Sequence, residues 1–304
     1  MINDVTVIIR SIGERTEELC RLLILEQGVP EENVVLVNER PFSRAMKVSY
    51  QTGIDRGLPW TFCVDADVLL SENALSKLLE AAKSGGDDFL GLSGSLLDKF
   101  FGIKRTAGNH LFRTRHLQRM IDEILPYEEE SIRPESSVIK KLKKEGLEFK
   151  KNAAFIGLHD FEQDYKDIAR KAFTHSVKHA EYLSEFVSFW KQKADDDLDY
   201  KVALYGASRG MLFQGRLKID VNVFETVHEE VLNQFGKKGS EIPVFKIRNC
   251  DDVLKTMENS ANYFNNDDNL DERYEKIFRQ RIKEKKYSAL LKHVAGRFLW
   301  SFKR

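Results

Sequence analysis

Three short apolar runs near the start of the chain, Val5 to Ile9, Val34 to Val37 and Thr61 to Val64, set the strongest limit on its fold. They are rich in β-branched residues and apolar at consecutive positions, the pattern of strands buried on both faces. Between and after them, apolar residues recur at helical spacing: Leu19, Leu22 and Leu23, then Met46, Tyr50 and Ile54, then Leu75, Leu78, Leu79 and Ala82. Gly28-Val29-Pro30 and Gly57-Leu58-Pro59 stop the first two helices, and Ser71 is placed to cap the third. Strand and helix alternating in this way build a parallel sheet with right-handed crossovers and helices on its faces. Ligands of such sheets bind beyond the carboxyl ends of the strands. Here those ends are Arg10-Ser11, Asn38-Glu39 and Asp65-Ala66-Asp67, three polar segments converging on one crevice.

The text changes after residue 85, where Gly and Ser punctuate the stretches Phe89 to Leu92, Leu96 to Ile103 and Asn109 to Phe112. These predict antiparallel strands rather than further strand-helix units. Helices are expected over Leu117 to Ile124 and from Pro134 to a stop at Gly146, and the apolar run Ala153 to Leu158 delivers His159 at its end. Beyond residue 160 the pattern is mostly helical and highly charged. The expected organisation is therefore an α/β domain over 1–160 and a mainly helical C-terminal region over 161–304, with Asp195-Asp196-Asp197 as an exposed turn.

Composition narrows the function classes. Lys plus Arg equals Asp plus Glu at 48 each, so the whole-chain basic footprint of a nucleic-acid binder is missing and no nucleic-acid partner is expected. Three cysteines, Cys20, Cys63 and Cys250, lie far apart with no CxxC pair, which argues against a disulfide framework and fits a reducing, cytoplasmic setting. The opening MINDVTVIIR has no charged segment ahead of an apolar one, and no stretch reaches the ~18 apolar residues of a membrane span. Neither secretion nor membrane spanning is expected.

The segment that carries chemistry is Asp65-Ala66-Asp67. Two carboxylates at a strand end repel one another unless a divalent cation neutralises them. Coming after two strand-helix units, this motif resembles the DxD of the GT-A nucleotide-sugar glycosyltransferases, and the resemblance spans about residues 4 to 160. It is nearest to their large inverting family. Asn38-Glu39 stands where that family has acidic residues near the base, Gln51-Thr52-Gly53-Ile54 partly matches its Asn-x-Gly-Ile, and Glu135-Ser136-Ser137-Val138 with Gly146 follows its base motif with Glu for Asp.

The resemblance implies a GT-A-like, Rossmann-like mixed sheet flanked by helices. It implies metal-dependent transfer of a sugar from a UDP- or GDP-linked donor to a glycan or lipid-linked acceptor hydroxyl, with inversion. Asp65 and Asp67 would hold Mn2+ or Mg2+ and His159 would join them, since imidazole and carboxylate together suit Mn2+. Glu135 would be the base. Arg10, Ser11, Asn38, Glu39, Asp65 and Ala66 would border the donor, with Arg44 and Lys47 reaching its phosphate or base.

Other readings stay open on sequence. Asp65 could be the nucleophile of a haloacid-dehalogenase-like phosphatase, although that motif normally sits on the first strand. Alternatively, the departures at Asn38, Gln51 and Glu135 fit a nucleotide-sugar or glycan-binding module with degraded catalysis. Residues 202–211 look like the phosphate-binding turn of short-chain dehydrogenases, but Leu212 replaces the third glycine and no Tyr-x-x-x-Lys follows, so Gly206 and Gly210 are expected to permit close packing. The last quarter is electrically split: 251–275 holds eight acidic and two basic residues, 279–304 nine basic and one acidic. Its aromatic and basic end is expected either to meet the inner membrane face peripherally or to pack on the acidic segment.

Overall fold

The computed structural model describes residues 1–126, 133–151, 153–215, 217, 223–237 and 248–261. The basic end over 279–304 lies outside these, so neither of its two expected contacts is addressed. Met1–Ser260 forms one compact unit.

The three apolar runs are strands β1 (Val5–Arg10), β2 (Val34–Val37) and β3 (Trp60–Asp65), joined by helices α1 (Glu17–Glu26) and α2 (Phe42–Arg56). All pairings among them are parallel, with β1 between β2 and β3. Alternate side chains of β1 serve different cores, as the strand period of two requires. Val5, Val7 and Ile9 pack with Cys20, Ile24, Leu75 and Leu78, whereas Ile8 packs with Met46, Tyr50, Cys63 and Phe112 on the opposite side.

After β3 come β4 (Val68–Leu70), α3 (Ala74–Lys83), β5 (Phe89–Leu92), β6 (Ser95–Asp98), β7 (Ile103–Arg105), β8 (Asn109–Arg113), α4 (Leu117–Asp122), α5 (Pro134–Lys144), β9 (Glu148–Lys150) and β10 (Phe155–His159). One sheet runs β2-β1-β3-β8-β5-β9, with β8 antiparallel to both its neighbours. A second runs β4-β10-β6-β7. The expected mixed sheet flanked by helices is thus present.

Two expectations need correction, and two strands were not foreseen. The strands of 86–115 are not simply antiparallel, because β5 pairs parallel with β9 and β6 with β10. The three-residue strands β4 and β9 were too short to show a period. Asn73, not Ser71, precedes α3, while Ser71 Oγ donates to the Ile156 carbonyl at 3.1 Å and anchors β4 beside β10.

The remaining helices are α6 (Tyr165–Lys178), α7 (Leu183–Lys193), α8 (Leu198–Met211), α9 (Val223–Phe235) and α10 (Cys250–Ala261), as expected of a helical C-terminal region. The dehydrogenase-like segment 202–211 lies inside α8, so it forms no phosphate-binding turn. Asp197 is no bare solvated acid: it caps α8 by accepting from the Asp199 amide at 2.9 Å and pairs with Lys99 at 3.0 Å.

Gly206 lets α8 approach α6, because a Cβ there would lie 2.3 Å from the Ala169 carbonyl oxygen. Gly206→Ala therefore tests this contact by its sign. Helix propensity alone favours alanine by ~1 kcal/mol, but overpacking costs about 1–3 kcal/mol. The urea midpoint should fall; an unchanged or higher midpoint would contradict the close contact.

Candidate functional site

The site is built at the carboxyl ends of β1, β3 and β10. Strand register sets Arg10 opposite Asp65, at the end of buried strands. Arg10 Nε donates to Asp65 Oδ1 and its Nη1 to Glu135 Oε1, both at 2.8 Å. Tyr50 from α2 donates to the same Glu135 oxygen at 2.8 Å, and His110 Nδ1 lies 3.1 Å from Oε2. Burial opposes charge on both partners, yet Arg10 and His110 hold the Glu135 carboxyl well below the usual range, and Asp65 and Glu135 raise Arg10. Gly108, at φ +60°, accepts the Asp65 amide on its carbonyl at 2.8 Å, and a Cβ there would sit 2.9 Å from Asp65 Oδ2.

A second charged cluster lies beside it. Asp67, His159 and Asp160 are all buried, and each offers a ligand atom within 4.8 Å of the others'. Asp98 on β6 fixes the histidine: its Oδ2 lies 2.9 Å from His159 Nδ1, while its Oδ1 accepts the Phe100 and Phe101 amides at 3.0 and 3.1 Å. Asp160 Oδ2 is also 3.1 Å from Nδ1, so Nε2 is the ring nitrogen that faces Asp67, 3.6 Å from Oδ1. Burial disfavours the imidazolium, but Asp160 and Asp67 outweigh it and push His159 up to about 10. Lys171 of α6 reaches both Asp67 Oδ2 and Asp160 Oδ1.

Asp67 Oδ1 is buried without a hydrogen-bond partner. Such an atom is costly unless something positive meets it. With an imidazole nitrogen facing it and carboxylates orienting that ring from behind, the donor set fits a divalent cation of the Mn2+ type. Lys171 is the cation that the chain itself supplies to these carboxylates.

A cleft of about 250 Å3 opens onto both clusters, and Arg10, Ser11, Glu39, Asp65, Asp67 and His159 line it. The structure brings these six sequence-derived residues together. It does not bring Asn38, Arg44, Lys47, Ala66 or Glu135 to the cleft wall. Arg44 is exposed and pairs with Glu39 at 2.8 Å. Asn38 and Lys47 are exposed, and buried Ala66 takes part through its backbone, its carbonyl accepting from Thr16 at 2.8 Å. Glu135, the expected base, is 6% exposed and is bonded to Arg10 and Tyr50 and paired with His110.

Asp160, Asp98, Arg105 and Lys171 were missed by sequence reading. For Asp160 the signal was present, since it directly follows His159 at a strand end. Lys171 gave none, because which face of α6 meets the strand ends is a tertiary matter.

No family model and no curated protein matches the sequence. Among solved structures, the chain is similar to a glycosyltransferase involved in glycosylation of the major capsid of PBCV-1, at 11% identity and TM-score 0.35, covering 50% of this chain and 81% of that one. It is also similar to a mannosyltransferase from Pyrobaculum calidifontis in complex with GDP-Man and Mn2+, at 12% identity and TM-score 0.39, covering 76% of this chain and 81% of that one.

The Arg10–Glu135 pair yields a pH prediction. A depressed carboxyl contributes stability that is complete above its ordinary value of 4.5 and is lost as pH falls through its lowered value. Glu135→Gln should cost about 3 kcal/mol at pH 7, as expected for breaking a buried pair, and should flatten the acid side of the stability profile. Urea titrations at several pH values read both; an unaltered acid limb would contradict the pairing.

Proposed function

We propose that the protein transfers a sugar from a nucleotide-sugar to an acceptor hydroxyl, with a divalent cation, Mn2+ or Mg2+, held by Asp67 and His159 and joined by Asp160. The observation that carries this is the buried cluster of Asp67, His159 and Asp160 at the cleft, whose ligand atoms lie within 4.8 Å of one another and in which Asp67 Oδ1 makes no hydrogen bond and faces His159 Nε2 at 3.6 Å. When bound, the cation supplies Lewis-acid stabilisation of the diphosphate leaving group. Asp98 and Asp160 hold the His159 ring so that Nε2 faces the ligand. Arg10, Ser11, Asp65 and Glu39 border the donor.

Glu135 acts through Arg10 and not on the acceptor. It keeps a buried guanidinium charged and aimed at Asp65, so it is a positioning residue. Inversion, which rested on Glu135 as base, draws no support from this arrangement. An aspartyl-phosphate route through Asp65 is not favoured either, because Asp65 ends β3, after two strand-helix units, and not the first strand.

Thermal denaturation against UDP, GDP and their sugar conjugates, with and without Mn2+, tests the reading. A ligand at 100 times its Kd adds about 2.7 kcal/mol, several degrees in Tm. One nucleotide should raise Tm only with Mn2+, and Asp67→Asn should abolish the rise. No shift with any nucleotide would overturn the donor site.

Lys171 gives an independent check on the cation. It holds the same two carboxylates, so Lys171→Met should tighten Mn2+ binding by about tenfold or more, given the Coulomb energies of charges this close. Calorimetric titration with Mn2+ alone reads it. An affinity equal to wild type would place the cation elsewhere.

A further inference from the structure

Helix α6 presents more to the cleft than the donor site uses. Arg170, Lys171, Thr174, His175 and Lys178 all line it, a spacing that puts them on one helical face. Lys171 is committed to Asp67 and Asp160, and Arg170 Nε lies 3.6 Å from Asp167. The end of the face is different. Among the described residues, Thr174 Oγ1 and His175 Nδ1 are buried with no hydrogen-bond partner, and Lys178 has no carboxylate within ion-pair distance. His175 is only 9% exposed, so its nitrogen has little access to water.

Among the described residues, several charged side chains near this end are cations. Arg105 of β7 lines the same cleft with its guanidinium 5.2 Å from the Phe101 ring, which in turn lies 4.3 Å from the His175 ring. Its carboxylate neighbour, Asp98 at 3.3 Å, is fully buried and already shared with His159. Arg133 sits 3.2 Å from the ring nitrogens of His179, which stacks on His175. Burial, with Arg133 and Arg105 adding to it, pushes Lys178 down to about 7, and burial together with Arg105 and Lys178 holds His175 neutral. Cations gathered in a cleft with idle donors repel one another, and an anion relieves them.

We propose that Lys178, Thr174 and Arg105 form a subsite for a phosphoryl group, with His175 closing its back. An ammonium, a hydroxyl and a guanidinium arriving from a helix and a strand match several oxygens of a tetrahedral anion, and a phosphoryl dianion balances the local charge. The subsite stands on the geometry of α6 and β7 and does not rest on the donor reading. Its ligand is either a phosphate carried by the acceptor or the diphosphate of the donor.

Calorimetric titration of the full chain with inorganic phosphate and with pyrophosphate, at low and constant ionic strength, tests it. Wild type should bind, Lys178→Met should bind about tenfold more weakly or worse, as the loss of a charged hydrogen bond predicts, and Lys178→Arg should retain binding. Thr174→Val should weaken it severalfold. In phosphate-free buffer Lys178→Met should also raise the urea midpoint, because it removes a buried cation from among cations; a folding defect would lower it. Absence of binding to wild type, or equal affinity in Lys178→Met and Thr174→Val, would overturn the subsite.

Repeating the titration with Mn2+ and a nucleoside diphosphate present separates the sources. Retained phosphate binding points to the acceptor, and competition to the donor. Lys178-dependent phosphate binding in a protein that binds no nucleoside diphosphate would leave the subsite standing and remove the donor reading.

Discussion

Arg10 is a guanidinium only 4% exposed at the end of β1, between β2 and β3, and much of the site is arranged around keeping it charged. A buried cation is tolerated when paired and hydrogen-bonded. Arg10 meets both conditions through partners from different parts of the chain: Asp65 ends the neighbouring strand and Glu135 opens α5. Tyr50 and His110 then complete the Glu135 carboxylate. Because these partners come from α2, β3, β8 and α5, one buried charge fixes where several elements end relative to one another. Of these residues Arg10 and Asp65 line the cleft, and the others hold Arg10 from behind, Tyr50 and His110 through Glu135.

The second cluster obeys the same rule with the signs exchanged. Asp67, Asp98 and Asp160 gather three carboxylates around His159, and Lys171 brings α6 in to balance them. The side of α6 turned from the cleft is anchored where Gly206 and Gly210 allow α8 to close on Ala169 and Phe173. Helix packing far from the chemistry thereby sets the position of the charges that line the cleft. The balance at this cluster is local and adjustable, since a lysine on a flexible stem can yield its carboxylates to another cation.

Much of this was legible in the sequence because burial on both faces of β1 and β3 leaves an unambiguous text. Their polar ends, Arg10-Ser11 and Asp65-Ala66-Asp67, were expected to fall together, and the resemblance set His159, at the end of another apolar run, beside them. The rest depended on contacts between distant elements. Glu135 reads as a helix-start acid favoured by the dipole, and nothing local tells that Arg10, Tyr50 and His110 will enclose it. Asn38 follows a strand end correctly but points to solvent, because an edge strand such as β2 offers it no second neighbour. Lys178 reads as an ordinary surface lysine until α6 is seen to lie along the cleft.

The central claim is that Asp67 and His159 hold a divalent cation. Crystals grown with Mn2+ and a nucleoside diphosphate, measured at the manganese absorption edge, test it most directly. The account predicts one anomalous peak within bonding distance of Asp67 Oδ1 and His159 Nε2, with the Lys171 ammonium displaced from Asp67. A cleft without that peak, with Lys171 still joined to both carboxylates while nucleotide is bound, would contradict it.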